Sequence, residues 1–566
     1  MDFKKIIVDN ILNNTEGIAR EDIESSIEIP PNFEMGDYAL PCFKFAKVLR
    51  NAPNRIAEDI VTKLGSLEGF DRIENVNGYI NFFVDKEIMA KSILEEVIEK
   101  KDEYGSSNMG DGKNIVIDYS SPNIAKPFHV GHLRSTVIGN SLYKIYKFLG
   151  YNPIGINHLG DWGTQFGKMI CAYKKWGVDE EIEEAPIKTL QKLYVKFHDE
   201  AEKDPNLEDE GREWFKKLEN GDEEAKRIWK WFIELSLEEF NRIYSLLKVK
   251  FDYYTGESFY EDKMDAAIEL MKEKNVLTES EGALVVDLEE YNMPPCLIVK
   301  SDGTTIYATR DITAALYRKK EFDFEKAIYI TDYAQNLHFK QWFKVIELMG
   351  YDWADDLIHA PFGRVSTEEG KLQTRKGNVI LLEDLLSRSI EKVKETIESK
   401  NPELENKDEV AKMVGIGAVI FNDLSNNKIK DIVFNWDRML SFEGETGPYL
   451  QYTAVRAKSI LSRVDKKIDD IKIDYSKLLD QEAVNTIRQI GRFNEIIVDA
   501  MEKNEPSFIS RYLLDLAHDF NKFYHECPIL NADEDIKIAR LALVNATETV
   551  LETGLGLLGI DVPEKM

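Results

Sequence analysis

Asn114-Ile115-Val116-Ile117-Asp118-Tyr119, then His129-Val130-Gly131-His132, then Pro153-Ile154-Gly155-Ile156-Asn157 are the stretches whose reading decides the fold. The first is a β-branched apolar run of strand length, the pattern of a strand buried on both faces. Past a loop holding Pro122 and Pro127, the residues Val130, Leu133, Val137, Ile138, Leu142, Ile145 and Leu149 recur at helical spacing. Gly150 is placed to cap that helix at its C-terminus. The third stretch is a second strand. Strand, long helix, strand is a βαβ unit, which predicts an α/β fold with a doubly wound parallel sheet.

Outward from this unit, 566 residues leave room for about three or four domains at ~100–200 residues each. Residues 1–108 alternate helix-like and strand-like stretches, close on the apolar run Gly78–Val84 and give way to a Gly-, Ser- and Asn-rich linker. They read as a small N-terminal α+β domain. Residues 109–400 hold the sheet. Within them, 173–255 turn charged and helical, an insertion whose acidic run Asp179–Glu184 is an ordinary solvated face. Strand patterns return at 283–288 and 296–300, and a Ser301-Asp302-Gly303-Thr304 turn leads into an expected strand at 305–308. Residues 326–330 are a buried strand with a helix after it, running to Gly350. From 401 to 566 the strand signals fade and a C-terminal helical bundle is expected.

Charge limits the partners. With 73 basic and 102 acidic residues the formal net charge is −29, which repels polyanions at long range. A nucleic acid must therefore be met by local patches. No apolar run approaches the ~18–20 residues of a membrane span, so a cytoplasmic protein with no membrane partner is expected. The cysteines Cys42, Cys171, Cys296 and Cys527 form no CxxC pair, which argues against a disulfide scaffold or a Cys-rich zinc site.

His129 and His132 fall where the first strand hands over to the helix, and residues three apart share a helical face. The helix N-terminus adds N–H groups and a positive dipole end, and Gly131 leaves the backbone bare. This cluster suits a triphosphate whose α-phosphate gathers charge during nucleophilic attack. A His pair that caps a helix or binds a metal fits the same spacing. About 240 residues on, Lys371-Leu372-Gln373-Thr374-Arg375-Lys376-Gly377-Asn378 is a basic loop, which suits departing pyrophosphate but equally suits a solvated turn.

Ser120-Ser121-Pro122-Asn123-Ile124-Ala125-Lys126-Pro127-Phe128-His129-Val130-Gly131-His132 resembles the "HIGH" region of class I aminoacyl-tRNA synthetases, in the form typical of arginyl-tRNA synthetase. The likeness continues in family order through His158-Leu159-Gly160-Asp161-Trp162-Gly163, Tyr307-Ala308-Thr309-Arg310-Asp311, Gln335-Asn336-Leu337-His338-Phe339, the loop at Lys371 and Gly447-Pro448-Tyr449-Leu450-Gln451-Tyr452. Thr374 stands where the family-wide "KMSKS" loop has its second lysine, and Lys126 stands where a lysine is thought to take over that work.

The resemblance implies a Rossmann catalytic domain that ligates L-arginine to its tRNA through an arginyl-adenylate, using ATP and Mg²⁺, in a protein expected to be a monomer. It implies that His129 and His132 stabilise the α-phosphate, with Gly131 and Gly377 also at the nucleotide. Lys126, Lys371, Arg375 and Lys376 would neutralise pyrophosphate. Asp311 and Glu257 would face the guanidinium with Tyr307 beside them, while Asp118, Asn123 and Gln335 hold the substrate's other polar groups. Read as bare residues, Asp311 also suits the N-cap of a helix over 312–317, and Tyr307 a packed strand aromatic. The N-terminal domain would grip the tRNA elbow. The bundle would read the anticodon, with Arg456, Lys458, Arg463, Lys466 and Lys467 on phosphates and the 521–526 aromatics near bases. No Cys/His cluster marks a cysteinyl enzyme, and the insertion is too short and too helical for an editing domain.

Overall fold

The structure, a computed structural model, describes residues 1–566 except 31, 368–369, 372–380 and 465–471, and gives the backbone alone at 33, 367, 370 and 371. Two compact units emerge. One gathers Met1–Tyr104 with Arg456–Phe493 and Asp515–Leu551; the other gathers Gly105–Val455 with Asn494–Leu514 and Glu552–Met566.

In the first unit, β1 (Tyr38–Pro41), β2 (Phe70–Val76) and β3 (Tyr79–Val84) form an antiparallel sheet in the order β1-β3-β2. Asn77 and Gly78 join β2 to β3 with φ of 53° and 86°, the paired positive φ of a type I′ hairpin. The helices Phe3–Asn14 and Pro53–Leu64 bury Ile7, Ile11, Ile56 and Ile60 with Leu40, Ile80 and Phe82 of the sheet. Asp37 is buried, accepting the Val84 N–H at 2.8 Å and the Arg488 Nε–H at 2.5 Å. The N-terminal block is thus tied by a buried ion pair to the helix Gln481–Gly491.

The second unit carries β4 (Asn114–Asp118), β5 (Asn152–Asn157) and β6 (Tyr253–Tyr254). An antiparallel trio follows, β7 (Thr278–Ser280), β8 (Ala283–Val286) and β9 (Cys296–Val299), then β10 (Lys326–Tyr329) and β11 (Leu357–His359). Strands β11-β10-β4-β5-β6 lie in that order and all run parallel. In sequence terms this is the doubly wound order, which reverses between β4 and β10 and opens a crevice at their carboxyl ends. Ile115, Val116 and Ile117 are fully buried because both faces of the sheet are covered. The helix Val130–Phe148 is buried nearly all round; its cap is Leu149, one residue before the expected cap Gly150, which turns the chain at φ +82°. Between β5 and β6 come the five insertion helices, from Thr164–Trp176 to Glu223–Leu247.

One expectation fails. Residues 305–308 are not a strand: Thr305 makes a single bridge to Val299, and a helix, Tyr307–Phe322, starts two residues later. Ala308, Ile312 and Ala315 bury one helical face in the core under β9, a contact that a four-residue apolar run cannot reveal. The last third is the expected set of helices, joined among the described residues by one short strand. β12 (Val365–Thr367) pairs antiparallel with β13 (Gly370–Lys371) and parallel with β14 (Ile432–Phe434), a strand too short to read from pattern.

Arg134 fastens the central helix to this later chain. Its side chain, 1% exposed, pairs with Asp423 at 3.2 Å and donates to the carbonyls of Gly363 and Lys430, each at 2.8 Å. Removing one partner of a buried pair costs about 3–5 kcal/mol, because the other charge is stranded. Asp423→Ala should therefore lower the calorimetric unfolding midpoint markedly; an unchanged midpoint would show that the carbonyls alone satisfy Arg134.

Candidate active site

The loop leaving β4 is built under strain. Ser120, Ser121 and Ala125 all have positive φ, 70°, 46° and 59°, which costs non-glycine residues about 1–3 kcal/mol each. Buried hydroxyls hold them there. The Ser120 N–H donates to Ser135 Oγ at 2.9 Å, Ser120 Oγ lies 2.8 Å from the Tyr244 hydroxyl, and the Ala125 N–H donates to Ser236 Oγ at 3.0 Å. Ser236 and Tyr244 belong to the last insertion helix, so the insertion clamps the loop that feeds the helix Val130–Phe148.

His129 is the N-cap of Val130–Phe148. Its Nδ1 accepts the Gly131 N–H at 3.0 Å, while His132 Nδ1 accepts the His129 N–H at 3.1 Å. A nitrogen that accepts from an N–H carries no proton, so each neutral ring bears its proton on Nε2 as a donor. Burial lowers the pKa of both rings; Lys126 adds to the effect on His129, and His129 to that on His132. Both are therefore neutral donors near neutral pH. The rings lie 3.9 Å apart between centroids, and His132 stacks on Phe128 at 5.0 Å. Two of the N–H groups expected to be free for an anion are instead occupied by this reciprocal cap. Gly131 is needed for a related reason: a Cβ there would stand 2.8 Å from His129 Cε1.

A cleft of about 500 Å³ opens at the carboxyl ends of β4 and β10. It collects Asp118, Asn123, Gly131, His132, Glu257, Tyr307, Asp311 and Gln335 from the sequence-derived set, from segments more than 200 residues apart. His129 and Lys126 stand on the adjoining loop and helix start rather than on its wall. Lys126 loses solvation there, which lowers its pKa against the opposing pull of Glu257. Arg375, Lys376 and Gly377 lie outside the described residues, as do the Lys371 side chain and Lys466 and Lys467.

The acidic wall is organised by a guanidinium absent from the sequence reading. Arg318, 1% exposed, pairs with Asp118 at 2.8 Å, and Ser121 Oγ donates to the other Asp118 oxygen at 2.9 Å. Arg318 follows Asp311 by seven residues, two turns along one helix, and that spacing was the available signal. Asp311 sits inside this helix and not at its N-cap; it contacts His338. Tyr307 opens the helix and is 66% exposed, so it is no packed strand aromatic. Glu257 heads a short 3₁₀ helix whose Ser258 N–H and hydroxyl both donate to Asp161, at 2.8 and 2.6 Å. Burial, then the neighbouring carboxylates of Asp161, Asp311 and Glu261, push Glu257 up to about 7 against the lowering effect of Arg310. Such a wall favours a cation.

In the C-terminal helices, Arg456 bonds Asn521 and lies over the Tyr524 ring at 5.2 Å. Lys458 faces Glu548 at 3.9 Å, while Phe523 is buried and Arg463 exposed.

Residues 93–436 match the model of the class I tRNA synthetase (R) catalytic domain, 450–566 that of the DALR anticodon binding domain, and 2–84 that of the arginyl tRNA synthetase N terminal domain. The chain is 59% identical to the arginine–tRNA ligase of Alkaliphilus metalliredigens and 57% identical to that of Halothermothrix orenii, with 100% of each chain covered. Its fold matches the arginyl-tRNA synthetase of Thermus thermophilus with a TM-score of 0.85 over 100% of both chains, at 24% identity.

The Glu257 shift has a definite sign. A carboxyl whose pKa rises on folding, from 4.5 to about 7, adds stability that is complete below 4.5 and lost as pH rises through 7. Without ligand, Glu257→Gln should melt higher than the parent above pH 7, and the gap should close toward pH 4.5. A pH-independent gap in melting temperature would contradict the assignment.

Proposed function

The chain belongs to the arginyl-tRNA synthetase family, and from that premise we propose how its cleft joins arginine to tRNA. Its reaction is the ligation of L-arginine to tRNA through an arginyl-adenylate, with release of pyrophosphate and then AMP. The cleft has two ends of opposite preference, and their combination carries the reading. At one end His132 lines the cleft with His129 adjoining, both neutral with Nε2–H donors; at the other stands the Glu257–Asp311 wall, where burial and neighbouring carboxylates outweigh the lowering pull of Arg310 on Glu257.

The guanidinium of arginine is a permanently charged planar fork, matched by carboxylates. Binding it would hold Glu257 ionised and offset the burial and carboxylate crowding that raise its pKa. With the side chain anchored there, the α-carboxylate of arginine faces the histidine end. One of its oxygens attacks the α-phosphorus of ATP, a P–O bond forms, and the bond to the bridging oxygen of pyrophosphate breaks. Nε2–H groups of His129 and His132 donate to the α-phosphate oxygens as their charge grows, without holding a positive charge beforehand. Lys126 takes up charge on the leaving pyrophosphate, with Lys371, Arg375 and Lys376 assigned the same work. A ribose hydroxyl of the tRNA terminal adenosine then attacks the acyl carbon, and AMP leaves.

Among the described residues no group of three or more His, Cys, Asp or Glu is placed to hold a metal. Magnesium in this reading enters on the phosphates of ATP, where it supplies charge neutralisation. Asn123 and Gln335 are assigned to the substrate's amino end, while Asp118 acts through Arg318 and Ser121. The tRNA elbow is assigned to the N-terminal domain, and the anticodon to the C-terminal helices, where Arg463 and Tyr524 reach the surface. No described helix is long and apolar enough to cross a membrane. We assign the protein to the cytoplasm and treat it as a monomer.

Charging of bulk tRNA with each standard amino acid tests the specificity: arginine alone should be attached, and a second acceptable amino acid would overturn the cation-pocket assignment. His132→Ala should slow arginine-dependent pyrophosphate exchange by at least ~10²-fold, as loss of a preorganised donor does. Unchanged exchange would remove the histidines from the α-phosphate.

A further inference from the structure

We infer that His338 is a positioning residue for amino acid selection: it locks the Asp311 carboxylate so that one free oxygen faces the guanidinium of bound arginine. The two residues stand on different helices, Asp311 on Tyr307–Phe322 and His338 in the first turn of Asn336–Leu348. Their side chains meet on the cleft wall, with His338 Nε2 2.5 Å from Asp311 Oδ2. An ionised carboxylate only accepts, so the imidazole is the donor. Side-chain exposures of 26% for Asp311 and 30% for His338 leave the pair within reach of a ligand.

The terminal torsion of an aspartate is broad and roughly twofold, so a lone Asp311 would present its oxygens over a wide range of angles. A donor from a second rigid helix removes that freedom. This matters more for a guanidinium than for an ammonium. A planar fork needs its acceptors in its own plane, whereas an ammonium accepts them from many directions. His338 is braced in turn. Its ring meets Phe339 edge-on at 5.6 Å, and Phe339 stacks on His359 at 4.2 Å and 12°. His359 Nε2 lies 2.9 Å from Thr331 Oγ1. Burial, and secondarily electrostatic coupling to His338, hold His359 down at about 4, so that ring stays neutral. The phosphate chemistry above makes no use of His338.

The inference rests on the assignment of Asp311 to the guanidinium, and the test separates the two. Pyrophosphate exchange is measured on the full chain with tRNA present, for Asp311→Asn, His338→Phe, His338→Gln and the double variant Asp311→Asn/His338→Phe. His338→Phe should raise the KM for arginine roughly 10- to 100-fold, the range for a hydrogen bond to a charged group, and leave the KM for ATP within about twofold. His338→Gln, which keeps a donor, should recover most of the loss. In the Asp311→Asn background, His338→Phe should add less than about twofold, because the interaction it removes is already gone. Fully additive losses, or equal rises in both KM values, would overturn the positioning role. If Asp311→Asn raises the arginine KM and His338→Phe does not, only the positioning role falls. If Asp311→Asn leaves that KM unchanged, the guanidinium assignment falls as well.

Discussion

A guanidinium sealed inside the catalytic unit has to be neutralised where it sits, and the site is arranged around that requirement. Arg318 is out of water on the helix Tyr307–Phe322, and Asp118, at the carboxyl end of β4, meets it at 2.8 Å. Breaking such a pair strands a charge at a cost of several kcal/mol, so the helix and the strand end keep one relative placement. Two turns back along the helix stands Asp311, and next to Asp118 begins the strained loop toward His129. One internal ion pair thus sets the distance between the acidic end of the cleft and the histidine end. The protein pairs Arg318 with Asp118 in its interior and, nearby, sets Arg310 among the carboxylates of Glu257 and Glu261, which still leave Glu257 raised.

The chain's charge of −29 looks ill suited to polyanionic substrates, and the site shows how the conflict is handled locally. Donation to phosphate is assigned to neutral Nε2–H groups, whose cost of burial is far lower than that of imidazolium. Their orientation comes from the backbone, since each Nδ1 is occupied by an N–H of the same helix start. At the other wall burial first, and neighbouring carboxylates second, raise Glu257 to about 7 and so store affinity for a cation. The buried hydroxyls of Ser236 and Tyr244 make the insertion a structural part of the site, because they hold positive-φ residues that would otherwise relax.

The β-branched run at 114–119, the spacing of the helix after it and the run at 153–157 declared a parallel βαβ unit because local pattern reports burial on both faces of a strand. Several of the cleft's polar residues were recognisable from motifs because chemistry restricts the residue types at strand ends and helix starts. The misread segment at 305–308 shows the limit. Ile306-Tyr307-Ala308 is apolar and short, and only its packing under β9 makes it the start of a helix. The histidine pair was visible, but not that its Nδ1 atoms occupy the N–H groups at the helix start.

By itself the sequence determined the sheet class, the order of the blocks, the place of the histidines at a strand-to-helix junction and the family, all properties carried by near neighbours in the chain. Tertiary structure alone decided that Arg318 neutralises Asp118, that His338 reaches Asp311 and that Ser236 supports Ala125. These contacts join residues from 27 to 200 positions apart. Periodicity describes which face of an element turns inward; which charge it meets there depends on how separate elements close on one another, and burial makes that meeting decisive.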